Sequence, residues 1–66
     1  MQVVVNGQTQ AVPDGSNLAQ LLEQMALEPR RVAVELNKRL VPRGQFGLTG
    51  LGDNDQLEIV TLVGGG

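Results

Sequence analysis

An apolar run, a turn dipeptide and an alternating polar and apolar run at the start of the chain predict a β-hairpin. Residues 2–6 are mostly apolar and β-branched, residues 8–12 alternate between polar and apolar, and Asn6-Gly7 lies at the junction. Asn and Gly tolerate the positive φ angles that a two-residue hairpin turn requires. We therefore expect a strand at 2–6 to fold back onto a second strand at 8–12.

A helical repeat follows a turn that contains Pro and Gly. Four apolar side chains recur at positions i, i+3, i+4 and i+7 and so share one helix face: Leu18, Leu21, Leu22 and Met25. Asn17 followed by Gln20 has the spacing of a capping box, and Ser16 is an alternative N-cap. Pro29 cannot continue a helix, because it lacks the backbone N–H. The pattern predicts a helix over residues 17–27.

Short runs of β-forming residues make up the second half of the chain. Residues 32–37 predict a third strand, and Asn37-Lys38-Arg39 predicts a polar turn at its end. Leu40-Val41 predicts a short fourth strand, which Pro42 places at an edge or an end of the sheet. Residues 44–55 contain four glycines and predict an irregular segment that ends in a turn at residues 53–55. Residues 57–63 predict the last strand.

One amphipathic helix can cover one face of a mixed sheet and form a single core. We expect the first and last strands to lie side by side and parallel in the centre, where the helix covers both. The predicted core residues are Val3, Val5, Leu18, Leu21, Leu22, Met25, Leu57 and Ile59. Phe46 is expected to fill the core under the long loop. Val4, Glu58 and Val60 are expected on the opposite, uncovered face.

Composition narrows the possible functions. The 66 residues fit one domain, and the absence of Cys, His and Tyr removes common metal ligands, catalytic acids, bases and nucleophiles. A net charge of −2 and a single aromatic residue argue against nucleic-acid binding. The sequence predicts neither a membrane span nor a signal peptide. We expect a monomeric, cytosolic protein that binds no metal and is not an enzyme.

The ending EIVTLVGGG and the predicted order of elements resemble those of ubiquitin-like carriers, which end in Gly-Gly. The opening MQVVVNG, the internal LNKRLVPR and the ending DNDQLEIVTLVGGG are similar to the thiamine-biosynthesis sulfur carriers of the ThiS family. The resemblance covers the whole chain. It implies an α+β, β-grasp fold, in which a mixed four- to five-stranded sheet packs on one main helix. The domain would occupy residues 1–63 and a flexible glycine tail residues 64–66.

The resemblance also implies the chemistry. The carboxylate of Gly66 would be adenylated by a partner enzyme that uses ATP, then converted to a thiocarboxylate with sulfur from a donor enzyme. Thiazole synthase would receive that sulfur. The chain itself has no phosphate-binding loop motif and is expected to bind no cofactor. Gly64 and Gly65 would give the carboxylate access to a narrow site, because glycine lacks a Cβ and takes either sign of φ.

A docking surface is expected on the uncovered face. Val4, Val60 and Leu62, flanked by Glu58, would form it, since ubiquitin-like domains use this face to bind partner enzymes. The alternative is that these are ordinary strand residues on a solvated face, which is common for isolated apolar side chains.

Two short basic pairs lie at the ends of predicted elements: Arg30-Arg31 and Lys38-Arg39. They are either solvated or in contact with an acidic partner surface.

Two other functions stay open at this point. The small subunit of molybdopterin synthase shares the fold and the thiocarboxylate chemistry, although it is typically a longer chain. A β-grasp interaction domain with an inert tail is the second alternative.

Overall fold

The computed structural model describes residues 1–62. The elements in chain order are β1 (Gln2–Val5), β2 (Gln8–Ala11), α1 (Leu18–Gln24), a 3₁₀ turn (Pro29–Arg31), β3 (Val32–Leu36), β4 (Arg39–Val41), a 3₁₀ helix (Arg43–Leu48) and β5 (Gln56–Thr61). Within residues 1–62, no helix is both long enough and apolar enough to cross a membrane. β5 begins one residue earlier than predicted and ends at Thr61, so Leu62 lies just outside it. The predicted strand end at Val63 and the predicted tail at residues 64–66 lie outside the described residues.

The strands form one mixed sheet in the order β2-β1-β5-β3-β4. β1 and β5 run parallel at its centre, with Val4 beside Gln56 and Val5 beside Leu57. The other neighbouring strands are antiparallel. The predicted parallel pairing of the first and last strands in the centre of the sheet is therefore confirmed.

The first hairpin turns at Asn6-Gly7, where φ is 50° and 82°. The two-residue loop places Gln8 beside Val5, as the Asn-Gly dipeptide predicts. Asn6 therefore belongs to the turn rather than to the first strand. β2 ends at Ala11, one residue earlier than predicted.

A second two-residue turn joins β3 to β4. Asn37 and Lys38 have φ values of 51° and 70°, and Leu36 pairs with Arg39. The third strand therefore ends one residue earlier than predicted. The predicted polar turn is one residue too long, because Arg39 already pairs in β4.

α1 begins at Leu18, one residue later than predicted, because Asn17 is its N-cap, and it ends early. Asn17 Oδ1 accepts a hydrogen bond from the Gln20 backbone N–H at 2.8 Å, and Gln20 Oε1 accepts one from the Asn17 N–H at 2.8 Å. The predicted capping box is therefore confirmed. The helix stops at Gln24 rather than at residue 27, because Ala26 has a left-handed φ of 58° and turns the chain before Pro29 is reached.

The core lies between α1 and the sheet. Of the predicted core residues, Val3, Val5, Leu18, Leu21, Leu22, Leu57 and Ile59 are buried. Met25 is only partly buried, because it follows the last turn of α1 and packs against the rim of the core. Phe46 is buried as predicted, and further buried apolar residues are Val12, Val32, Val34 and Leu51.

The segment predicted to be irregular contains the 3₁₀ helix Arg43–Leu48. The backbone carbonyl of Thr49, just after it, accepts a hydrogen bond from the Leu18 N–H at 2.9 Å. The segment therefore closes against the first turn of α1, with Phe46 buried beneath it.

Candidate functional site

The root of the predicted tail is a central strand. β5 lies between β1 and β3, and it pairs with β3 from Leu57 to Thr61. The backbone N–H of Leu62 still donates to the Arg31 carbonyl at 2.7 Å. The chain is thus hydrogen-bonded through the last described residue. Gly64, Gly65 and Gly66, the predicted carrier residues, lie outside the described residues.

The Asn6 side chain extends the pairing between β1 and β5. Two backbone bonds come first: the Val4 N–H donates to Asp55 at 2.8 Å, and the Asn6 N–H donates to Leu57 at 2.9 Å. At the next position β1 has turned away. There the Asn6 amide Nδ2–H donates to the Ile59 carbonyl at 2.9 Å, while Oδ1 accepts from the Ile59 N–H at 2.8 Å. A side chain therefore supplies the bonds that a longer strand would have made.

The predicted docking residues share the sheet face opposite α1. Their neighbours in β1 and β5 are buried, as the two-residue period of a strand requires. Val60 is 56% exposed and Leu62 is 49% exposed. Glu58 is also exposed, whereas Val4 is partly buried.

The four docking residues do not form one continuous patch. Val4 lies beside Gln56, four residues before Val60 in β5. At about 3.3 Å per residue, that offset is about 13 Å along the strand. The structure therefore brings Glu58 and Val60 together on β5, with Leu62 just after the strand, and leaves Val4 apart from the two exposed apolar side chains.

The same face carries residues that the sequence pattern did not single out. Glu35 lies directly opposite Glu58, and Leu40 lies opposite Glu35 on β4. Leu40 is 69% exposed. Like charges in directly opposed positions destabilise a sheet, so this pair of carboxylates is costly for the isolated fold. The missed signal was the two-residue turn at Asn37-Lys38, which fixes the register that aligns these side chains.

Polar side chains close the end of the sheet at which β1 and β5 begin. The Asp53 carboxylate accepts from the Gln2 backbone N–H at 2.9 Å. Asp55 accepts from the Gly52 N–H at 2.7 Å and from Asn37 Nδ2 at 3.1 Å. The predicted turn at residues 53–55 is therefore tied to two other segments of the chain.

An ion pair lies at the same end. The Met1 amino group is 2.8 Å from Asp14 Oδ1. Its hydrogen bond and its positive charge hold the pKa of the Asp14 carboxyl below its ordinary value. We call this edge, at which β1 and β5 begin, the closed end of the sheet. The edge at which β5 finishes, beside Asn6 and Val32, is the tail end.

Comparison with known proteins identifies the family. The sequence model of the ThiS family matches residues 3–66, which is nearly the whole chain. The chain belongs to the ThiS family. The sulfur carrier protein ThiS of Escherichia coli is 30% identical over 66 residues, and the match covers 100% of both chains.

A solved structure and a region of a longer protein are also similar to this chain. A crystal structure of the thiamine biosynthesis protein ThiS from Geobacter metallireducens superposes with a TM-score of 0.85 at 32% identity, covering 100% of both chains. The predicted β-grasp fold is thereby confirmed. A thiazole synthase of Magnetococcus marinus is 39% identical over all 66 residues, and the chain spans 20% of that protein's length.

Proposed function

We propose that this ThiS-family chain is a sulfur carrier of thiamine biosynthesis, and that its reactive group is the carboxylate of Gly66. The observation that carries the proposal is the family match, which runs to residue 66 and so includes the glycines. Similarity over the full length of the Escherichia coli sulfur carrier supports it. The protein is then a co-substrate of other enzymes rather than an enzyme itself.

Activation has to come from a partner. A terminal carboxylate has a pKa of about 3.3–3.7, so it is ionised at neutral pH and is a poor electrophile. In the proposed cycle a carboxylate oxygen of Gly66 attacks the α-phosphorus of ATP, and pyrophosphate leaves. Sulfur at the oxidation level of sulfide, supplied by a donor enzyme, then attacks the acyl carbon. AMP leaves with the former carboxylate oxygen, and a thiocarboxylate remains.

The glycines suit a reactive group that must enter another protein's active site. Residues 63–66 can span at most about 14 Å beyond Leu62, at 3.3–3.6 Å per residue. Without a Cβ, the glycine backbone can pass a narrow channel and adopt either sign of φ. Ordering it costs about 1–2 kcal/mol per residue, which contacts to the folded body must offset.

Three partner enzymes are required by this cycle: an adenylating enzyme, a sulfur donor and thiazole synthase. Partnership with thiazole synthase is supported by the Magnetococcus marinus protein of that name, which contains a region similar to this whole chain. Joining two activities in one chain raises their effective concentration for each other. Consumption of ATP is consistent with a cytoplasmic location.

The exposed part of the open face is the proposed docking surface. Val60 and Leu62 lie directly before the tail and are about half exposed, with Glu58 beside them. An enzyme that holds this face would position the tail root on a rigid central strand. Val4 contributes less to docking in this proposal, because it is partly buried and lies farther from the tail.

Mass spectrometry of the intact protein tests the proposal. The protein ending at Gly66 is incubated with the adenylating enzyme of the same organism, ATP and a sulfur donor. We expect the mass change of one oxygen replaced by one sulfur, located on Gly66 by fragmentation. Two matched controls, deletion of Gly66 and addition of one Ala after it, should remain unmodified. An unmodified wild-type protein in the presence of active partners would refute the proposal.

Growth complementation separates this function from its rivals. We expect the gene to restore growth of a thiamine auxotroph that lacks its own sulfur carrier. It should fail in a strain that lacks the small subunit of molybdopterin synthase. Rescue of the thiamine auxotroph by the Gly66 deletion would favour an interaction domain with an inert tail.

A further inference from the structure

Positive charge is distributed unevenly along the sheet. The five Lys and Arg residues form two pairs and one single residue: Arg30-Arg31, Lys38-Arg39 and Arg43. β3 runs from Val32 to Leu36, so one pair precedes the strand and the other follows it. The strand itself spans about 13 Å. The two pairs therefore lie at opposite ends of the sheet.

The first pair borders the point where the chain leaves the sheet. Val32 pairs with Thr61, the last residue of β5, and the Leu62 N–H bonds to the Arg31 carbonyl at 2.7 Å. Arg43 lies at this end too. It follows β4, which runs in the same direction as β5 because both are antiparallel to β3. We call Arg30, Arg31 and Arg43 the tail-end arginines.

The tail-end arginines are available to a partner. All three are exposed, and the one ion pair within residues 1–62 joins Met1 to Asp14 at the closed end. The nearest carboxylate in the sequence is Glu28, whose backbone carbonyl accepts from the Arg31 N–H at 2.9 Å. Three exposed arginines that form no ion pair within residues 1–62 thus lie at the tail end of the sheet.

The charge of this end is opposite in sign to that of the whole chain. Three arginines and Glu28 give the tail end a formal charge of +2, while the other two cations and six carboxylates carry −4, which together make the net −2. Asp53 and Asp55 bind backbone at the closed end, together with Asp14. Side-chain charge is therefore positive at the tail end, whereas at the closed end Lys38, Arg39 and the Met1 amino group balance three Asp carboxylates.

We propose that the tail-end arginines bind an acidic surface around the opening through which the adenylating enzyme admits the tail. This inference rests on the proposed carrier function and adds the charge of the partner surface. Arginine binds carboxylates through two parallel hydrogen bonds, which fixes orientation as well as position. An acidic opening attracts the positive tail end and does not attract the closed end, whose charges balance, so the carrier arrives with its glycines forward.

The two basic pairs provide a matched comparison. Arg30→Glu/Arg31→Glu and Lys38→Glu/Arg39→Glu change the net charge equally, on exposed residues at the two ends of the same strand. Carrier-dependent ATP–pyrophosphate exchange is measured with both variants at low and high salt. Far-ultraviolet circular dichroism checks that each is folded. Arg30→Lys/Arg31→Lys keeps the charge and controls for changes in the 3₁₀ turn.

We expect the tail-end variant to lose about tenfold or more in kcat/KM at low salt, mainly through KM, because steering effects are of this size. The loss should shrink in 0.5 M salt, where the screening length is only about 4 Å. The Lys38/Arg39 variant should stay within about threefold, since its charges lie about 13 Å farther from the opening and are more strongly screened. The lysine variant should lie between the wild type and the Glu variant, because it keeps the charge but loses the paired hydrogen bonds of arginine.

Equal losses in the two Glu variants would overturn the inference, because they would indicate a net-charge effect. A tail-end variant with the kcat/KM of the wild type would also overturn the inference. In either case, activation of the wild-type protein would still support the carrier function. If the wild-type protein is not activated at all, the proposed function itself fails.

Discussion

At the closed end of the sheet, several side chains form hydrogen bonds with the backbone of distant segments. At the tail end, within residues 1–62, few side chains do so. Asp53 and Asp55 satisfy backbone N–H groups, and Asn37 exchanges two bonds with Gln56. The described part of the tail end has the Asn6 clamp on Ile59 and the Leu62 bond to Arg31. Stability and partner binding are thus assigned to opposite ends of one small sheet.

The central position of β5 connects the two ends. Its first residues are fixed by the closed end, its middle residues by the core, and its last residues by Asn6 and β3. A rigid strand lowers the ordering cost of presenting the C-terminal residues to a partner. We therefore expect changes at the closed end to alter stability alone, and changes at the tail end to alter use by partner enzymes.

The largest stability effect is expected at the closed end. Asp55→Ala removes the acceptor for the Gly52 N–H and for Asn37 Nδ2. Two exposed bonds to a charged group contribute about 2–3 kcal/mol together. Urea unfolding followed by circular dichroism measures the loss, since the chain has no Trp or Tyr. Adenylation of the folded variant should proceed at the wild-type rate.

Glu23→Ala is the control for Asp55→Ala. It removes one negative charge from an exposed position of α1 and should change the unfolding free energy by less than about 0.5 kcal/mol. Equal unfolding free energies for the two variants would contradict the role of the Asp55 bonds. Slower adenylation of the folded Asp55 variant would contradict the separation of the two ends.

The sequence predicts the buried residues of the covered face better than it predicts the long-range hydrogen bonds at the ends of the sheet. The alternation of Val3, Val5, Leu57 and Ile59 predicts the core, because burial repeats with the period of a strand. The bonds of Asn6 and Asp55 do not follow from local pattern. Asn6 reaches a residue 53 positions away, which only the assembled sheet brings into range.

Two of the sequence predictions are wrong for local reasons that the residue pattern does not show: the end of the helix and the length of the second hairpin turn. Ala26 adopts a left-handed φ of 58°, a conformation that is usual for Gly or Asn, so the apolar repeat predicts too late an end for the helix. The sequence pattern misses Glu35 and Leu40 on the open face, because it predicts a turn of three residues rather than two. The docking residues can be placed on a face from sequence, but their spacing requires the register.

A smaller loss of stability is expected from the Asn6 clamp. Asn6→Gly keeps a residue that tolerates the φ of 50° and removes both side-chain bonds to Ile59. We expect a loss of about 1–2 kcal/mol, at about 0.5–1 kcal/mol for each of the two bonds, which is the lower part of the usual range. Hydrogen exchange should show faster exchange of the Ile59 amide, which loses its acceptor.

Asn54→Gly is the matched control for the Asn6 variant. Asn54 also has a positive φ, of 68°, and its side chain makes no hydrogen bond within residues 1–62. The two substitutions raise the entropy of the unfolded chain equally. If both variants lost the same stability, the clamp would contribute nothing beyond the backbone effect.

The smallest effect is expected from a change on the open face at the tail end. Val60→Asp places a charge beside Glu58 on the proposed docking surface and should raise KM for the adenylating enzyme about tenfold, or about 1.4 kcal/mol. Thr9→Asp, on the same face of edge strand β2, is the matched control and should leave KM within about twofold. Val60→Thr keeps the branched shape and should give an intermediate value. If Val60→Asp and Thr9→Asp had the same KM, the enzyme would not hold the carrier by this part of the face, and the tail-end arginines would have to orient it alone.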